Sequence, residues 1–473
     1  MAAQTLVVDL DGTLIRSDLL VESFWAAASR RGGLAVLDAG RALLQGRAAL
    51  KARLAELGPV DVAGLPYNAA VLDYIRARRA AGTRVVLVTA SVQPLAEAVA
   101  AHLGLFDEVH GTKEGENLKG ARKAAFCVDR FGRGGFDYIG DAQADLPVWA
   151  AAATAIVVAP GAALMRRLAA LDRPLETLAA ARPAPRDLIR ALRPHQWLKN
   201  LLVFLPALAA HNVHLPVLAA GLLAFAAFSL VASAVYVLND LLDLRADRAH
   251  PRKRNRPFAS GAVPLLTGTL MAPALLLAGL VLALPLGAKF LGVLLLYVVT
   301  TTAYSLHFKR RMVADIVLLA ALYTLRIMAG GVATQIHLTV WLLAFSMFFF
   351  FSLAAVKRQA ELVDGVATGR SAAGRGYLPQ DLPLVEMMAM GSGYVSVLVM
   401  ALYLASPEIT NAYPTPDALW GICVILLYWI SRVVLVAHRG QMHDDPVVYA
   451  VRDRVSLMCG AAILVCAVAG VVL

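Results

Sequence analysis

A long series of apolar runs, separated by short polar loops, fills the chain from Trp197 to Leu473. About 20 consecutive apolar residues are enough for a helix to cross the hydrocarbon core of a bilayer. Hydrophobic residues make up 59% of the 473 residues, and the mean hydropathy of +0.65 is typical of a polytopic membrane protein. This part of the chain is therefore predicted to be an all-α membrane bundle.

About nine of the apolar runs are long enough, or nearly so, to form transmembrane helices. They lie at 201–210, 218–238, 266–286, 291–306, 316–329, 339–356, 385–405, 419–436 and 456–473. The first run is short and contains Pro206, which favours a kink.

The charge of the loops predicts how these runs are oriented. Lys and Arg are concentrated before the first run and after the second, fourth, sixth and eighth runs, whereas the alternate loops contain only Lys289. The positive-inside rule makes the basic loops cytoplasmic. No basic n-region or apolar h-region precedes the first predicted strand at Thr5, so we expect no signal peptide. We therefore expect a multi-pass protein of the inner (plasma) membrane, with its N-terminal domain and active sites in the cytoplasm and its C-terminus, Leu473, outside.

The net charge of +11 has a bearing on the partners of the protein. Its basic residues lie mainly between apolar runs, so they indicate membrane topology and anionic substrates rather than nucleic acid.

The four cysteines form no metal-type or redox-type pair, and three of them lie in apolar runs. They are expected to be inert thiols.

The part of the chain before the apolar runs alternates strand-like and helix-like segments with ordinary surface charge. An Arg-, Pro- and Ala-rich stretch separates it from the membrane part. The predicted organisation is an α/β domain at 1–171, a linker with a membrane-approaching helix at 172–194, and a transmembrane domain at 195–473.

Two carboxylates follow the first predicted strand, in the segment LVVDLDGT at 6–13. Period-2 spacing puts Asp9 and Asp11 on the same side of the chain as it leaves the sheet. One such carboxylate can attack phosphorus while the other protonates the leaving oxygen. Because Mg²⁺ prefers oxygen ligands, it would offset the repulsion between them.

Three later segments complete this pattern in chain order. A strand at 85–88 ends at Thr89, a helix begins near Lys123, with Lys119 as the alternative, and the sequence YIG precedes Asp141 and Asp145. Each segment is common by itself, but all of them in this order resemble the haloacid dehalogenase superfamily of phosphatases.

That resemblance implies a Rossmann-like α/β fold with a small helical cap at about 17–73, as in phosphoserine-phosphatase-like members. The implied roles are nucleophile for Asp9, acid/base for Asp11, phosphoryl contacts for Thr89 and Lys123, and an Mg²⁺ site formed by Asp9, Asp11, Asp141 and Asp145. A cap favours a small phosphate monoester without naming one.

A second acidic motif ends the second apolar run. Asp240, Asp243 and Asp247 have i, i+3, i+7 spacing, which places all three on one face of a continuous helix, with Asn239 beside them. Converging carboxylates repel each other unless they bind divalent cations, which a pyrophosphate can bridge. A solvated acidic helix end would not require this spacing.

The acidic motif and the apolar runs resemble the UbiA-type superfamily of intramembrane prenyltransferases, from about Arg193 to the end of the chain. Several flanking segments look like decaprenyl-phosphate phosphoribosyltransferases. These are RPHQWLKN at 193–200, DRAHPRKRNRP at 247–257, Tyr304-Ser305 with Asp315, Leu325-Arg326 with Ala329-Gly330-Gly331, and Lys357-Arg358 with Glu361-Leu362.

The resemblance implies a site that binds Mg²⁺, a pyrophosphate-bearing substrate and a polyprenyl lipid. Its metal ligands would be Asp240, Asp243 and Asp247, and its substrate-binding residues Lys199, Asn239, Lys253, Arg256, Tyr304, Arg326, Lys357, Arg358 and Glu361. Arg326 also stands out by itself, because a charge inside an apolar run marks a polar cavity.

The function expected from both halves is a bifunctional membrane enzyme. The membrane half would transfer phosphoribose from phosphoribosyl pyrophosphate to polyprenyl (decaprenyl) phosphate, and the phosphatase would hydrolyse a monoester, with the 5′-phosphate of that product as the candidate. One alternative is transfer of a polyprenyl group from its diphosphate to an aromatic acceptor of quinone or haem synthesis. Lys357, Arg358 and Glu361 stand where most members of that class carry a second aspartate motif. A transporter or a non-catalytic regulator is the remaining alternative.

Overall fold

The computed structural model describes residues 5–113, 118–179, 184–368, 376–410, 413–442 and 445–472. The chain divides into two compact units. The first consists of Met1–Leu192 and Tyr236–Pro273, and the second of Arg193–Val235 and Ala274–Leu473. The segment that carries the second acidic motif therefore clusters with the N-terminal residues.

A six-stranded parallel sheet forms the centre of the N-terminal part. Its strands are β1 (Thr5–Val8), β2 (Val85–Val92), β3 (Glu108–Thr112), β4 (Phe136–Gly140), β5 (Ala155–Val158) and β6 (Leu175–Leu178). The spatial order is β3-β2-β1-β4-β5-β6. The order reverses beside β1, and ligands of such sheets bind at that point, outside the carboxyl ends of the strands. The sixth strand lies in the segment predicted as linker.

Alternation along the strands gives the sheet two buried faces. Leu6 and Val8 contribute to the core on one face, and Val7, with Val86 and Val88 of β2, to the core on the other. Helices cover both faces, as expected for a parallel sheet whose strands are apolar throughout. The predicted α/β fold is confirmed.

Three short helices form the cap between β1 and the next helix that packs on the sheet. The helices before the membrane part are α1 (Leu19–Arg31), α2 (Gly33–Leu44), α3 (Arg47–Leu57), α4 (Ala69–Ala80), α5 (Gln93–Leu103), α6 (Ala121–Phe131), α7 (Leu146–Ala151), α8 (Ala162–Ala169) and α9 (Pro185–Leu192). Val71 and Ile75 of α4 lie in the core of the sheet. The cap is therefore α1–α3 and ends before the predicted limit of residue 73.

The membrane part contains helices joined by turns and loops, and no strand occurs among its described residues. Its helices are α10 (Leu205–Ala209), α11 (Leu215–Leu242), α12 (Leu244–Ala249), α13 (Leu265–Ala283), α14 (Ala288–Leu306), α15 (Ala314–Thr334), α16 (Val340–Thr368), α17 (Leu382–Leu404), α18 (Pro407–Thr410), α19 (Trp420–His438), α20 (Pro446–Ala450) and α21 (Arg454–Val472). Short 3₁₀ turns occur at several of the junctions, and a longer one runs over Pro194–Phe204.

Eight helices in the described residues are long and apolar enough to cross a membrane. They are Leu215–Leu242, Leu265–Leu286, Ala288–Leu306, Ala314–Thr334, Val340–Val366, Pro379–Leu404, Pro416–His438 and Arg454–Val472. The further run at 201–210 is not among them, because this stretch is divided between a 3₁₀ helix and the five-residue α10. The residue on which the C-terminal orientation was predicted, Leu473, lies outside the described residues.

Candidate active sites

Three carboxylates meet where the sheet order reverses. Asp9 follows β1, Asp141 follows the neighbouring β4, and Asp145 ends a 3₁₀ turn just after it. One oxygen from each side chain lies within 4.8 Å of the others, and this group of three could hold a metal ion. The parallel pairing of β1 with β4 brings these residues together, since it aligns the carboxyl ends of the two strands.

Lys123 neutralises part of this acidic group. Its Nζ lies 2.7 Å from Asp9 Oδ1 and 3.8 Å from Asp145 Oδ1, and it also donates to the Tyr138 hydroxyl at 3.0 Å. The side chain is buried in α6. Burial acts to lower the pKa of Lys123, but the carboxylates of Asp9 and Asp145 outweigh it and raise that pKa. The alternative lysine, Lys119, is exposed.

Asp11 is held apart from the three-carboxylate group by its own hydrogen bonds. Its Oδ1 accepts from the backbone N–H of Leu19 at 2.8 Å, and its Oδ2 accepts from the Ser91 hydroxyl at 2.6 Å. Burial, with the charges of Asp18 and Asp9, raises the pKa of Asp11 to about 7 in spite of these bonds. Thr89 is fully buried, and its Oγ1 accepts from the Ser91 N–H at 3.0 Å.

Asp141 faces the tight turn at Gly12. Gly12 has φ +78°, and a Cβ atom at this position would collide with the Asp141 carboxylate. Thr13 Oγ1 donates to Asp141 Oδ1 at 3.2 Å. Burial and the neighbouring Asp9 and Asp145 raise the pKa of Asp141 to about 7. Such mutual repulsion is what a divalent cation relieves, so the donor set fits Mg²⁺.

Two polar residues that the sequence patterns did not single out border this site. Ser91 holds Asp11, as described above, and Lys51 of cap helix α3 donates through Nζ to the carbonyl oxygen of Ala90 at 2.6 Å. Ser91 belongs to the segment Thr89-Ala90-Ser91, so the sequence could have suggested it. Lys51 is an ordinary helix residue in the sequence and could be suspected only from the fold.

The second acidic motif does not lie on one continuous helix, so this part of the prediction is wrong. Helix α11 ends at Leu242, and Asp243, with φ −96° and ψ 12°, is the N-cap of α12. Asp240 and Asp247 nevertheless converge, because Arg256 Nη1 lies 3.2 Å from Asp240 Oδ1 and 2.6 Å from Asp247 Oδ2. Both carboxylates are buried.

The remaining predicted residues of this segment lie around the motif. Asn239 is half-buried near the end of α11, and Lys253 is exposed in the 3₁₀ turn Lys253–Asn255. In the described residues, the only group of three carboxylates close enough to hold a metal ion is Asp9, Asp141 and Asp145. Asp240, Asp243 and Asp247 do not form such a group. Arg256 offsets their repulsion and was predicted as a phosphate ligand, a role that stays a prediction.

A buried ion pair joins the acidic motif to the helical cap within the first unit. Arg248 Nη1 and Nη2 lie 3.0 and 2.7 Å from the two carboxylate oxygens of Glu22, which is on α1. Arg248 Nε also donates to the carbonyl oxygen of Ala259. Bidentate arginine–carboxylate pairs fix orientation as well as distance. Arg248 immediately follows Asp247, so α1 helps to place the motif.

In the second unit, two predicted lysines share one carboxylate. Lys199 Nζ and Lys357 Nζ lie 2.8 and 3.0 Å from Asp445 Oδ2, and the Tyr323 hydroxyl donates to Asp445 Oδ1 at 3.2 Å. Two ammonium groups facing one carboxylate leave a net positive charge that suits an anion.

The surroundings of this lysine cluster shift the pKa values of Lys199 and Asp445. Burial lowers the pKa of Lys199 to about 8, with Lys357 and Arg326 acting in the same direction and Asp445 opposing them. Burial alone would raise the pKa of Asp445, but the two lysines hold it well below its ordinary value. Sequence reasoning left Asp445 out of the site, because only packing brings it to residues so distant in the chain.

Arg326 lies inside α15 and is almost fully buried. Its Nε donates to Asn200 Oδ1 at 2.9 Å, its Nη1 to the Leu322 carbonyl at 2.5 Å, and its Nη2 to the Tyr297 hydroxyl at 3.0 Å. The predicted polar environment is thus built from groups of the chain itself, and Arg326 holds Asn200, the neighbour of Lys199.

Arg358 is fully buried beside Lys357 on α16, and its Nε lies 2.8 Å from Asp315 Oδ2. It also pairs with Glu361, and the Tyr377 hydroxyl donates to Asp315 Oδ1 at 2.6 Å. Of the remaining predicted residues, Tyr304 is half-buried in the last turn of α14.

Family models match both parts of the chain. The UbiA prenyltransferase family matches residues 200–447, and haloacid dehalogenase-like hydrolases match residues 6–150. The chain belongs to the UbiA prenyltransferase family. Its N-terminal part is a haloacid dehalogenase-like hydrolase domain, so both resemblances are confirmed. With eight candidate spans, this UbiA family member is an integral membrane protein.

Curated relatives resemble the whole chain or part of it. Uncharacterized protein y4nM of Sinorhizobium fredii is 38% identical over 97% of this chain and 89% of its own length. Nodulation protein NoeC of Azorhizobium caulinodans is 40% identical over 57% of this chain and 88% of its own. The decaprenyl-phosphate phosphoribosyltransferase of Mycolicibacterium smegmatis is 34% identical over 57% of this chain and 87% of its own.

Proposed function

We propose that this UbiA family member transfers phosphoribose from phosphoribosyl pyrophosphate to a polyprenyl phosphate such as decaprenyl phosphate. The observation that carries the proposal is the buried cluster of Lys199 and Lys357 around Asp445. A donor with a 5′-phosphate as well as a pyrophosphate needs cationic groups in addition to metal-binding carboxylates. The similarity to a decaprenyl-phosphate phosphoribosyltransferase supports the same donor.

In this reaction an oxygen of the polyprenyl phosphate attacks the anomeric carbon of the ribose. The new carbon–oxygen bond replaces the bond to pyrophosphate, which leaves with the electron pair. Mg²⁺, when bound, neutralises the charge that develops on the pyrophosphate. Asp240, Asp243 and Asp247 would hold the metal, because Asp240 and Asp247 already converge on one cation, Arg256 Nη1.

The chain's own residues would bind and orient the substrates. Lys199 and Lys357 are proposed to bind phosphate groups by charge, and Lys253 and Arg256 to do the same near the acidic motif. Asn239, Tyr304 and Glu361 are proposed to contact the substrates. Arg326 and Arg358 already have partners within the chain, and we assign to them the positioning of Asn200 and Glu361.

The hydrolase domain is proposed to hydrolyse a phosphate monoester, and the proposed substrate is the transferase product, from which it would remove the 5′-phosphate. Asp9 would attack phosphorus to form an acyl phosphate as the phosphorus–oxygen bond to the sugar breaks, and Asp11 would protonate the leaving oxygen. Asp11 would then take a proton from a water molecule, which attacks the acyl phosphate, releases phosphate and restores the Asp9 carboxylate. Lys123 and Thr89 would orient the phosphoryl group. Asp141 and Asp145, with Asp9, would hold Mg²⁺.

Joining both enzymes in one chain raises the effective concentration of the second for the product of the first. The basic loops favour cytoplasmic active sites in the inner membrane. The product of the two steps would be a polyprenyl-phosphoryl pentose.

The test is to supply the purified full-length protein with decaprenyl phosphate and either phosphoribosyl pyrophosphate that carries ³²P in its 5′-phosphate or a labelled prenyl diphosphate with an aromatic acceptor. We expect a labelled product only from the first donor, as lipid-linked phosphoribose, followed by release of the ³²P as phosphate. The Asp240→Asn variant should form no labelled lipid, whereas Asp9→Asn should accumulate lipid-linked phosphoribose. Label transferred from the prenyl diphosphate instead would overturn the proposal.

A further inference from the structure

Helix α2 of the cap turns its small residues inward and its large apolar residues outward. Its buried residues are Ala35, Ala39 and Ala42, which share one helix face. The opposite arc exposes five large apolar side chains by 53–90%: Leu34, Val36, Leu37, Leu43 and Leu44. In residues 5–113 and 118–179, every large apolar side chain that is exposed belongs to this helix. Contiguous apolar patches of this kind mark interaction sites.

The neighbouring cap helix is attached to a candidate transmembrane helix. Trp25 Nε1 on α1 donates to Thr269 Oγ1 at 2.9 Å. Thr269 is the fifth residue of the span Leu265–Leu286, so it lies about 6 Å along that helix at 1.5 Å per residue. Leu266 and Leu270 beside it are exposed, as expected for side chains that face lipid. This contact joins α1 to the second turn of a candidate transmembrane helix.

A second attachment fixes the same helix. Glu22, one turn before Trp25, forms the bidentate pair with Arg248 described above. Arg248 lies in α12, just after the span that ends at Leu242. Helix α1 then passes directly into α2 through Gly32, whose φ is 60°. The apolar arc of α2 is therefore carried on a hairpin that is fixed to the ends of two spans.

Basic side chains accompany this arc. Arg30 and Arg31 end α1, and Arg41 lies on α2; all three are exposed. Arg31 also pairs with Asp38 at 3.2 Å. An apolar face bordered by arginines is the pattern of helices that lie in the plane of a membrane interface and contact anionic headgroups.

We propose that α2 is a membrane-docking helix, whose apolar arc inserts into the headgroup region of the bilayer that contains the spans. The occupant of the patch is thus lipid. The docked cap would hold the phosphatase at the surface where lipid-linked substrates are presented, a consequence that rests on the proposed function. The docking itself does not depend on which substrate the enzyme uses.

The experiment measures contact with lipid directly. Full-length Leu37→Cys carries a bimane fluorophore, in nanodiscs with or without doxyl-labelled phosphatidylcholine as the quencher. The matched control is Ala77→Cys on α4, which is exposed and distant in sequence from the arc. The unsubstituted protein gives the background from its native cysteines. We expect the label at position 37 to be quenched at least threefold more than the label at position 77.

Two further arms decide the outcome. Adding Leu34→Glu and Leu44→Glu to the Leu37→Cys protein should reduce quenching to the level of the control, because charged groups oppose insertion of the arc. Equal quenching at positions 37 and 77 would overturn the proposal. So would efficient disulfide crosslinking between two Leu37→Cys copies without lipid quenching, which would identify a second copy as the occupant. These readouts need no turnover, so a failure of the proposed reaction remains distinguishable.

Discussion

The phosphatase cluster and the lysine cluster of the bundle use opposite charge balances in comparably buried surroundings. Around Lys123, a single ammonium group faces Asp9 and Asp145, with Asp141 beside them. Around Asp445, one carboxylate faces two ammonium groups. Burial makes each imbalance costly unless a ligand of the opposite sign binds. The cluster with an excess of carboxylates is therefore suited to bind cations, and the cluster with an excess of lysines is suited to bind phosphates.

The largest expected effects come from removing one carboxylate from each acidic motif. Asp9→Asn should lower phosphate release by about 10³-fold or more, because it removes the proposed nucleophile, and should leave transfer unchanged. Asp240→Asn should abolish transfer and leave the phosphatase activity unchanged. Because this variant makes no lipid product, its phosphatase activity is measured as phosphate release from a soluble aryl phosphate. Loss of both activities in either variant would show that the two regions are not independent catalytic sites.

The next effect concerns the carboxylate of the lysine cluster. Asp445→Asn removes the negative charge that Lys199 and Lys357 share. The two ammonium groups should then repel each other and move apart, and the KM for phosphoribosyl pyrophosphate should rise about 10- to 100-fold. The matched control is Asp453→Asn, which removes a carboxylate paired with Arg432 instead. Steady-state kinetics of both variants make the test. An equal rise in KM for both would contradict a specific role for Asp445.

A smaller effect is expected where the phosphatase cap meets the second acidic motif. Glu22→Gln breaks the bidentate pair with Arg248 and should lower transfer about tenfold by loosening Asp247, since misplaced ligands cost rate steeply. Amide hydrogen exchange in Leu244–Ala249 should increase at the same time. The double variant Glu22→Arg with Arg248→Glu, which exchanges the two charges, should partly restore the transfer rate and the protection of these amides from exchange. Asp38→Asn, which breaks an exposed cap pair, is the control.

The smallest effect is a dependence on pH. Because the pKa of Lys199 is lowered to about 8, its side chain is protonated at pH 7 and largely neutral at pH 9. Phosphate groups with a second pKa near 6 keep their charge over this range. The KM for the donor should therefore rise severalfold from pH 7 to pH 9. In Lys199→Arg the rise should disappear, since arginine stays charged; an unchanged profile would exclude Lys199 as its source.

Local sequence patterns predicted the two-part organisation, the strand-end aspartates and the positions of the eight candidate spans. These features are local, because period-2 alternation and apolar length can be read from neighbouring residues. The resemblance to haloacid dehalogenase phosphatases implied that Asp9, Asp11, Asp141 and Asp145 lie together. In the structure, parallel pairing of β1 with β4 brings Asp9, Asp141 and Asp145 into one group.

The contacts made by the helical regions could not be predicted from the sequence and became known from the fold. It divided the acidic motif between α11 and α12, placed Arg256 between Asp240 and Asp247, and brought Asp445 to Lys199. It also turned the leucines of α2 away from the cap. Helical periodicity states which residues share a face, but the partner of that face depends on packing between distant segments.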